Sequence, residues 1–193
     1  MLGQLRGSVA GLAVVVACTL LTPLLGQNVV ATGFDLQGKA VNPLDLGAGK
    51  ALVLIFERTD CPVCNRYAPT VNTMSQKFVK QAVFVMVYPD KSETPANIEK
   101  HQHDYGYTLT AVRDPGHLLV KMCKVEITPE VAVFNAKRQL VYHGRIDDWY
   151  EDFGRARSAP TTHELNDAII AAVKGGPAPP HEGAVGCYIS DLQ

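Results

Sequence analysis

Two uncharged apolar runs, Ala51–Phe56 and Ala82–Tyr88, flank a segment from residue 62 to about residue 80 whose pattern is helical. Continuous apolar runs of this length suit strands buried on both faces of a sheet. Strand, helix and strand in so short a span form a βαβ unit, which implies a parallel pair and a right-handed crossover. The chain is therefore expected to be α/β, with helices covering a central sheet. Its 193 residues fit about one domain.

The remaining elements follow from local signals. Residues 34–41 read as a hairpin with Gly38 at the turn. Polar residues 89–94 lead into a helix from 95 to about 105, and a short strand follows near 109–112. Asp114-Pro115 is expected to open another helix, with Asp114 as N-cap and Pro115 in the first turn. Residues 131–134 and 139–143 read as an antiparallel pair, and residues 147–160 as loop. Thr162 is expected to cap a final helix ending at Lys174-Gly175-Gly176. Residues 28–176 would then be the folded domain, followed by a Pro/Gly-rich tail, 177–193, that carries Cys187.

The first 26 residues stand apart. Arg6 is their one charge, and residues 9–25 have none. A positive start followed by an apolar stretch is the pattern of an export signal. Three readings compete: a cleaved signal peptide, an uncleaved membrane anchor, and a lipoprotein signal at Val15-Val16-Ala17-Cys18. The apolar stretch 20–25 counts against the third. Each places the rest of the chain outside the cytoplasm, periplasmic or secreted, and the anchor would be a membrane tether.

Composition excludes some functions. The formal charge is −1, a poor match for a nucleic-acid backbone, so no nucleic-acid partner is expected. Five cysteines are too few to build a disulfide-framed domain of this length, but enough for a redox or metal site.

The chemistry is expected at Asp60-Cys61-Pro62-Val63-Cys64, between the first buried strand and its helix. Two cysteines three apart at a helix start share a face, roughly 5–6 Å between Cβ atoms, near disulfide geometry. Cys61 sits where free N–H groups and the positive helix end favour a thiolate. Pro62 suits the first helical position. Cys64, one turn deeper, should be more shielded. This asymmetry casts Cys61 as the attacking thiol and Cys64 as the one that resolves a mixed disulfide. Half of a zinc site, or an inert structural disulfide, are the competing readings, although no second CxxC exists.

Four features together resemble the thioredoxin fold, in the redoxin branch of TlpA/ResA-type thiol-disulfide oxidoreductases and the alkyl hydroperoxide reductase/thiol-specific antioxidant group. They are the strand leading into Cys61-Pro-Val-Cys64, Pro69 eight residues past Cys61, Ile127-Thr128-Pro129 ahead of a strand, and the long βα segments between them. The resemblance covers about residues 30–175. It implies a three-layer sandwich, a central mixed sheet with helices on both faces. It also implies a cis bond before Pro129, a bend beside the CxxC, and a Thr128 backbone that pairs with an extended partner. Protein thiols and disulfides would be the partners, with an electron donor in the membrane or the extracytoplasmic space. No cofactor or metal is implied.

Departures from the pattern bear on mechanism. Asp60 stands where thioredoxins carry Trp, and a carboxylate there should oppose a thiolate. Ile55 stands at the family's buried Asp, and Glu57 is expected to point differently from it, which leaves no proton acceptor. The peroxidatic Pro-x-x-x-Thr-x-x-Cys motif is absent, since position 54 is Leu; a thiol peroxidase is thus the minor alternative. A copper-binding module using Cys61, Cys64 and His143, or a non-catalytic binding module of the same fold, are the others. His101 and His103 are expected on the solvent side. Cys123 reads as core. Cys187 has an accessory role if the tail folds back to exchange with Cys61, and is otherwise a packed thiol.

Overall fold

A computed structural model describes residues 33–190, together with Gly3 and Leu192. The expected export segment, 1–26, lies outside the described residues apart from Gly3.

The two apolar runs form β3 (Ala51–Phe56) and β4 (Ala82–Tyr88), paired in parallel around helix α1 (Pro62–Lys77). They sit at the middle of a seven-stranded mixed sheet. Its order is β2 (Ala40–Val41), β1 (Gly33–Phe34), β5 (Thr110–Arg113), β4, β3, β7 (Glu130–Phe134) and β8 (Leu140–Gly144). The pairs β3–β4 and β4–β5 are parallel; the other neighbours are antiparallel. All six side chains of β3 are buried, which explains why its sequence shows no polar alternation.

Alternate residues feed two cores. Val53, Ile55, Met86 and Tyr88 face α1, α2 (Pro95–Asp104) and α4 (Glu164–Lys174). Leu52, Leu54, Phe56, Val85 and Val87 face α3 (Leu118–Cys123) and the tail residue Ile189. The result is the expected three-layer sandwich.

The expected hairpin is present, with Gly38 at φ +81° in its turn. Three local expectations are corrected. The helix after Asp114 begins at Leu118, because His117 adopts a left-handed conformation and interrupts it. Asp114 still caps it from a distance, accepting from the N–H groups of Leu118 at 2.8 Å and Val120 at 3.0 Å. Residues 147–160 are not all loop: β9 (Tyr150–Asp152) and β10 (Arg155–Ala156) pair within them. Thr162 does not cap α4. His163 holds the N-cap position without a side-chain bond, and the Thr162 hydroxyl donates to Glu164 instead, at 2.7 Å.

The tail is the larger surprise. It docks onto the domain as β11 (Cys187–Tyr188), antiparallel to the short β6 (Ile127–Thr128).

Candidate active site

Cys61 is the N-cap residue of α1, with φ −84° and ψ 112°, and Pro62 follows at the first helical position. The Cys64 N–H donates to Cys61 Sγ at 3.5 Å. The Cys64 and Cys187 thiols lie close enough to interact with this sulfur. A backbone N–H at a helix start and two neighbouring thiols are surroundings that favour a thiolate. They lower the Cys61 pKa to about 5, the Cys64 thiol contributing most, against the opposing effect of burial. Burial, with the hydrogen bond given to Cys61 and the charge of Glu57, pushes the Cys64 thiol well up. The two sulfurs are thus unequal in the sense expected. None of the four described cysteines is in a disulfide.

Exposure departs from expectation. Cys61 has no exposed surface, nor has Cys64. The tail segment carrying Cys187 lies against Cys61 and its neighbour Thr128.

Thr128 and Pro129 sit beside the pair as the resemblance implied. The Thr128–Pro129 bond is cis, and Cys61 Sγ lies 3.5 Å from the Thr128 carbonyl oxygen. Glu130 shapes this loop from below: its buried carboxylate accepts from the N–H groups of Glu126 at 2.9 Å and Ile127 at 3.3 Å.

The missing acid is present after all. Glu57, one residue past β3, continues the ladder by donating its N–H to Val87 O at 2.9 Å. Side chains in a strand alternate with period two, so residue 57 returns to the face of Ile55. It is wholly buried, and burial raises its carboxyl pKa to about 8. The Cys64 thiol interacts with it, yet neither carboxyl oxygen has a hydrogen bond of regular geometry. The period-two rule applied to Ile55 would have found this residue in the sequence.

Asp60, expected to oppose a thiolate, points away. Its side chain is 68% exposed, and Arg58 grips it through Nε and Nη2, each at 3.1 Å. His101 is also corrected: it is buried, not solvent-facing, because it closes a polar chain between α1 and α2. Asn65 Nδ2 donates to Thr59 O at 3.4 Å, which turns Asn65 Oδ1 toward His101 Nε2 at 2.9 Å. Nε2 therefore carries the proton, and Nδ1 accepts from the Tyr88 hydroxyl at 3.0 Å. His103 is exposed, as expected.

The copper set is not assembled. His143 stacks on His181 with ring centroids 4.4 Å apart, and among the described residues no three His, Cys, Asp or Glu side chains are grouped to hold a metal. Cys123 is fully buried at the end of α3, as a core thiol should be.

Comparison with known families agrees with this architecture. The AhpC/TSA family matches residues 26–143. The chain belongs to the AhpC/TSA family. Cys61, Cys64 and the Thr128–Pro129 bend lie inside the matched stretch; Cys187 lies beyond it. Among solved structures, an uncharacterized conserved protein from Geobacillus kaustophilus is similar with a TM-score of 0.70 at 21% identity, over 82% of this chain and 87% of that one. A secreted disulfide oxidoreductase of Mycobacterium tuberculosis, homologous to E. coli DsbE, gives 0.53 at 19% identity, over 72% and 94%. The exposed lipoprotein thioredoxin of Streptococcus pneumoniae gives 0.52 at 20% identity, over 74% and 96%. These likenesses establish the thioredoxin-like fold of this AhpC/TSA member. None of the curated proteins matches the sequence.

Proposed function

We propose that the protein is an exported thiol-disulfide oxidoreductase that exchanges the Cys61–Cys64 dithiol or disulfide with protein partners. One observation carries the reading: a sulfur that accepts a backbone hydrogen bond at a helix start, with a second thiol one turn on and a buried carboxyl beside that second thiol.

The steps follow from that asymmetry. The Cys61 thiolate attacks one sulfur of a partner disulfide, and the partner's other sulfur leaves and takes up a proton. Cys64 must then lose its proton to attack Cys61 Sγ. Glu57 is placed to receive it, because its carboxyl titrates near neutrality and interacts with the Cys64 thiol. Attack by Cys64 forms the Cys61–Cys64 disulfide and releases the partner as a dithiol. Run backward, the same steps oxidise a partner. The Thr128–Pro129 bend offers main-chain groups beside Cys61, which suits extended segments of varied sequence. Pro62 keeps the first turn free of an unpaired donor.

The pattern of residues 1–26 supports export, as does likeness to neighbours described as a secreted oxidoreductase and an exposed lipoprotein. Residues 28–176 would be the exchanging domain and 177–193 a tail with its own role. The test is insulin reduction with dithiothreitol as donor. Wild type should accelerate it and Cys61→Ser should not. Equal rates for wild type and Cys61→Ser would end the reading.

A further inference from the structure

Cys187 is a thiol the exchange cycle does not use, yet it lies with the attacking sulfur beside Thr128. Its position is built, not incidental. The β11–β6 pairing sets Cys187 opposite Thr128 and Tyr188 opposite Ile127. The Thr128 hydroxyl donates to Cys187 O at 3.3 Å, and the Ile189 N–H donates to Glu126 O at 3.0 Å. Ile189 is buried in the core on the α3 side of the sheet. Upstream, the Arg145 N–H donates to Glu182 O at 3.1 Å. At Gly186 a Cβ would fall 1.9 Å from Thr128 O, so only glycine lets the tail approach this closely.

An extended segment paired with the backbone beside a cis-proline is the arrangement inferred above for a partner. Here the chain supplies that segment itself, with a cysteine opposite Thr128, whose carbonyl oxygen lies 3.5 Å from Cys61 Sγ. The packed-thiol alternative accounts for a half-buried cysteine but not for the strand pairing, the glycine contact and the nearness to Cys61 occurring together.

We propose that residues 186–189 act as an internal pseudo-substrate and that Cys187 is a third redox cysteine, able to take Cys61 from the Cys61–Cys64 disulfide into a Cys61–Cys187 disulfide. The proposal rests on the Cys61–Cys64 pair being redox-active. In the step, the Cys187 sulfur gives up its proton and attacks Cys61 Sγ. The Cys61–Cys64 bond breaks as the Cys61–Cys187 bond forms, and Cys64 leaves as a thiolate that takes up a proton. One disulfide and one thiol exist before and after, so no electrons are gained or lost. The product holds the tail over the partner surface. Return attack by Cys64 on Cys61 frees Cys187 and removes the covalent hold on the tail.

The test maps disulfides by non-reducing peptide mass analysis after oxidation with diamide. Wild type should contain the Cys61–Cys64 link; its absence would sink the exchange reading itself. In Cys64→Ser, most molecules should carry an intramolecular Cys61–Cys187 link, with Cys64→Ala as a second variant should Ser destabilise the core. Adding Gly186→Val, which forces the tail away from Thr128, should cut that link at least tenfold and expose Cys61 to iodoacetamide. If wild type forms Cys61–Cys64 but oxidised Cys64→Ser and Cys64→Ala leave Cys187 free, the exchange reading stands and this inference falls.

Discussion

The first turn of α1 and the last turn of α3 each hold a cysteine with no exposed surface, and the two sulfurs are driven in opposite directions. Cys61 is drawn down to about 5, while burial and the charge of Asp114 push Cys123 up to about 12. Burial is common to both, so burial does not decide the charge. The donors do. Cys61 accepts a hydrogen bond from a backbone N–H and interacts with two thiols at the positive end of a helix, whereas Cys123 lies at the opposite end of one. Solvent exclusion is thus compatible with a reactive sulfur, provided that the protein supplies what water would have supplied.

The strongest way to break this comparison is to exchange the fates of the two residues. Cys61→Ser should lower insulin reduction at least about a thousandfold, as loss of a nucleophile does. Cys123→Ala should keep the rate within about twofold and cost about 1 kcal/mol in a urea titration, an ordinary core effect. Equal loss of activity from both variants would mean that α3 takes part in the chemistry and the contrast is false.

Glu57 sharpens the same contrast, since its buried carboxyl interacts with the Cys64 thiol beside Cys61. Glu57→Gln should slow closure of the Cys61–Cys64 disulfide from a mixed disulfide by about a hundredfold. It should also change stability with a definite sign. In the folded protein the carboxyl keeps its proton until about pH 8, whereas the unfolded chain releases it near 4.5. The native state holds the extra proton between those values, so this contribution is full below pH 4.5 and is lost as pH rises toward 8. Cys61 slopes the other way, because its folded thiol ionises first. The difference between variant and wild type therefore carries the test: it should grow in the variant's favour from pH 5 to pH 8. A flat difference would place the Glu57 proton elsewhere.

Much of this was legible in the chain, for identifiable reasons. β3 and β4 declared themselves because strands buried on both faces cannot carry polar residues. The Cys61–Cys64 pair declared itself by spacing at a helix start. Residues whose role depends on distant partners did not. His101 looks like any polar helix residue until Asn65 and Tyr88 meet it from α1 and β4. The fold-back of Cys187 was one of two open readings, whereas Gly186 gains meaning only once the tail returns to β6 across some sixty residues, a pairing no local pattern encodes. Glu57 is different: period two was available, and it was simply misapplied.

His101 offers a smaller test, on the support beneath the site. Burial lowers its pKa to about 4, so the folded ring stays neutral while the unfolded ring takes a proton near 6.5. The unfolded chain binds more protons between those values, and stability falls as pH drops from 6.5 to 4. The expected loss is on the order of 2 kcal/mol, read from urea midpoints. His101→Asn should weaken this acid dependence; an unchanged slope would mean that the ring already carries charge when folded.

The smallest effect should come from the residue beside Cys61 that seemed most threatening to a thiolate. If hydrogen-bond donors and not nearby charges set the Cys61 sulfur, Asp60→Asn should alter its iodoacetamide reaction rate at pH 7 by less than about threefold. An exposed carboxylate acts through water, where a unit charge is weak. Arg58 also neutralises it while pairing with Asp90 at 3.3 Å. The measurement is best made in Gly186→Val, where the tail no longer screens the sulfur. A tenfold rise would show that the Asp60 charge reaches Cys61, and that the difference between Cys61 and Cys123 owes as much to the surrounding field as to the donors.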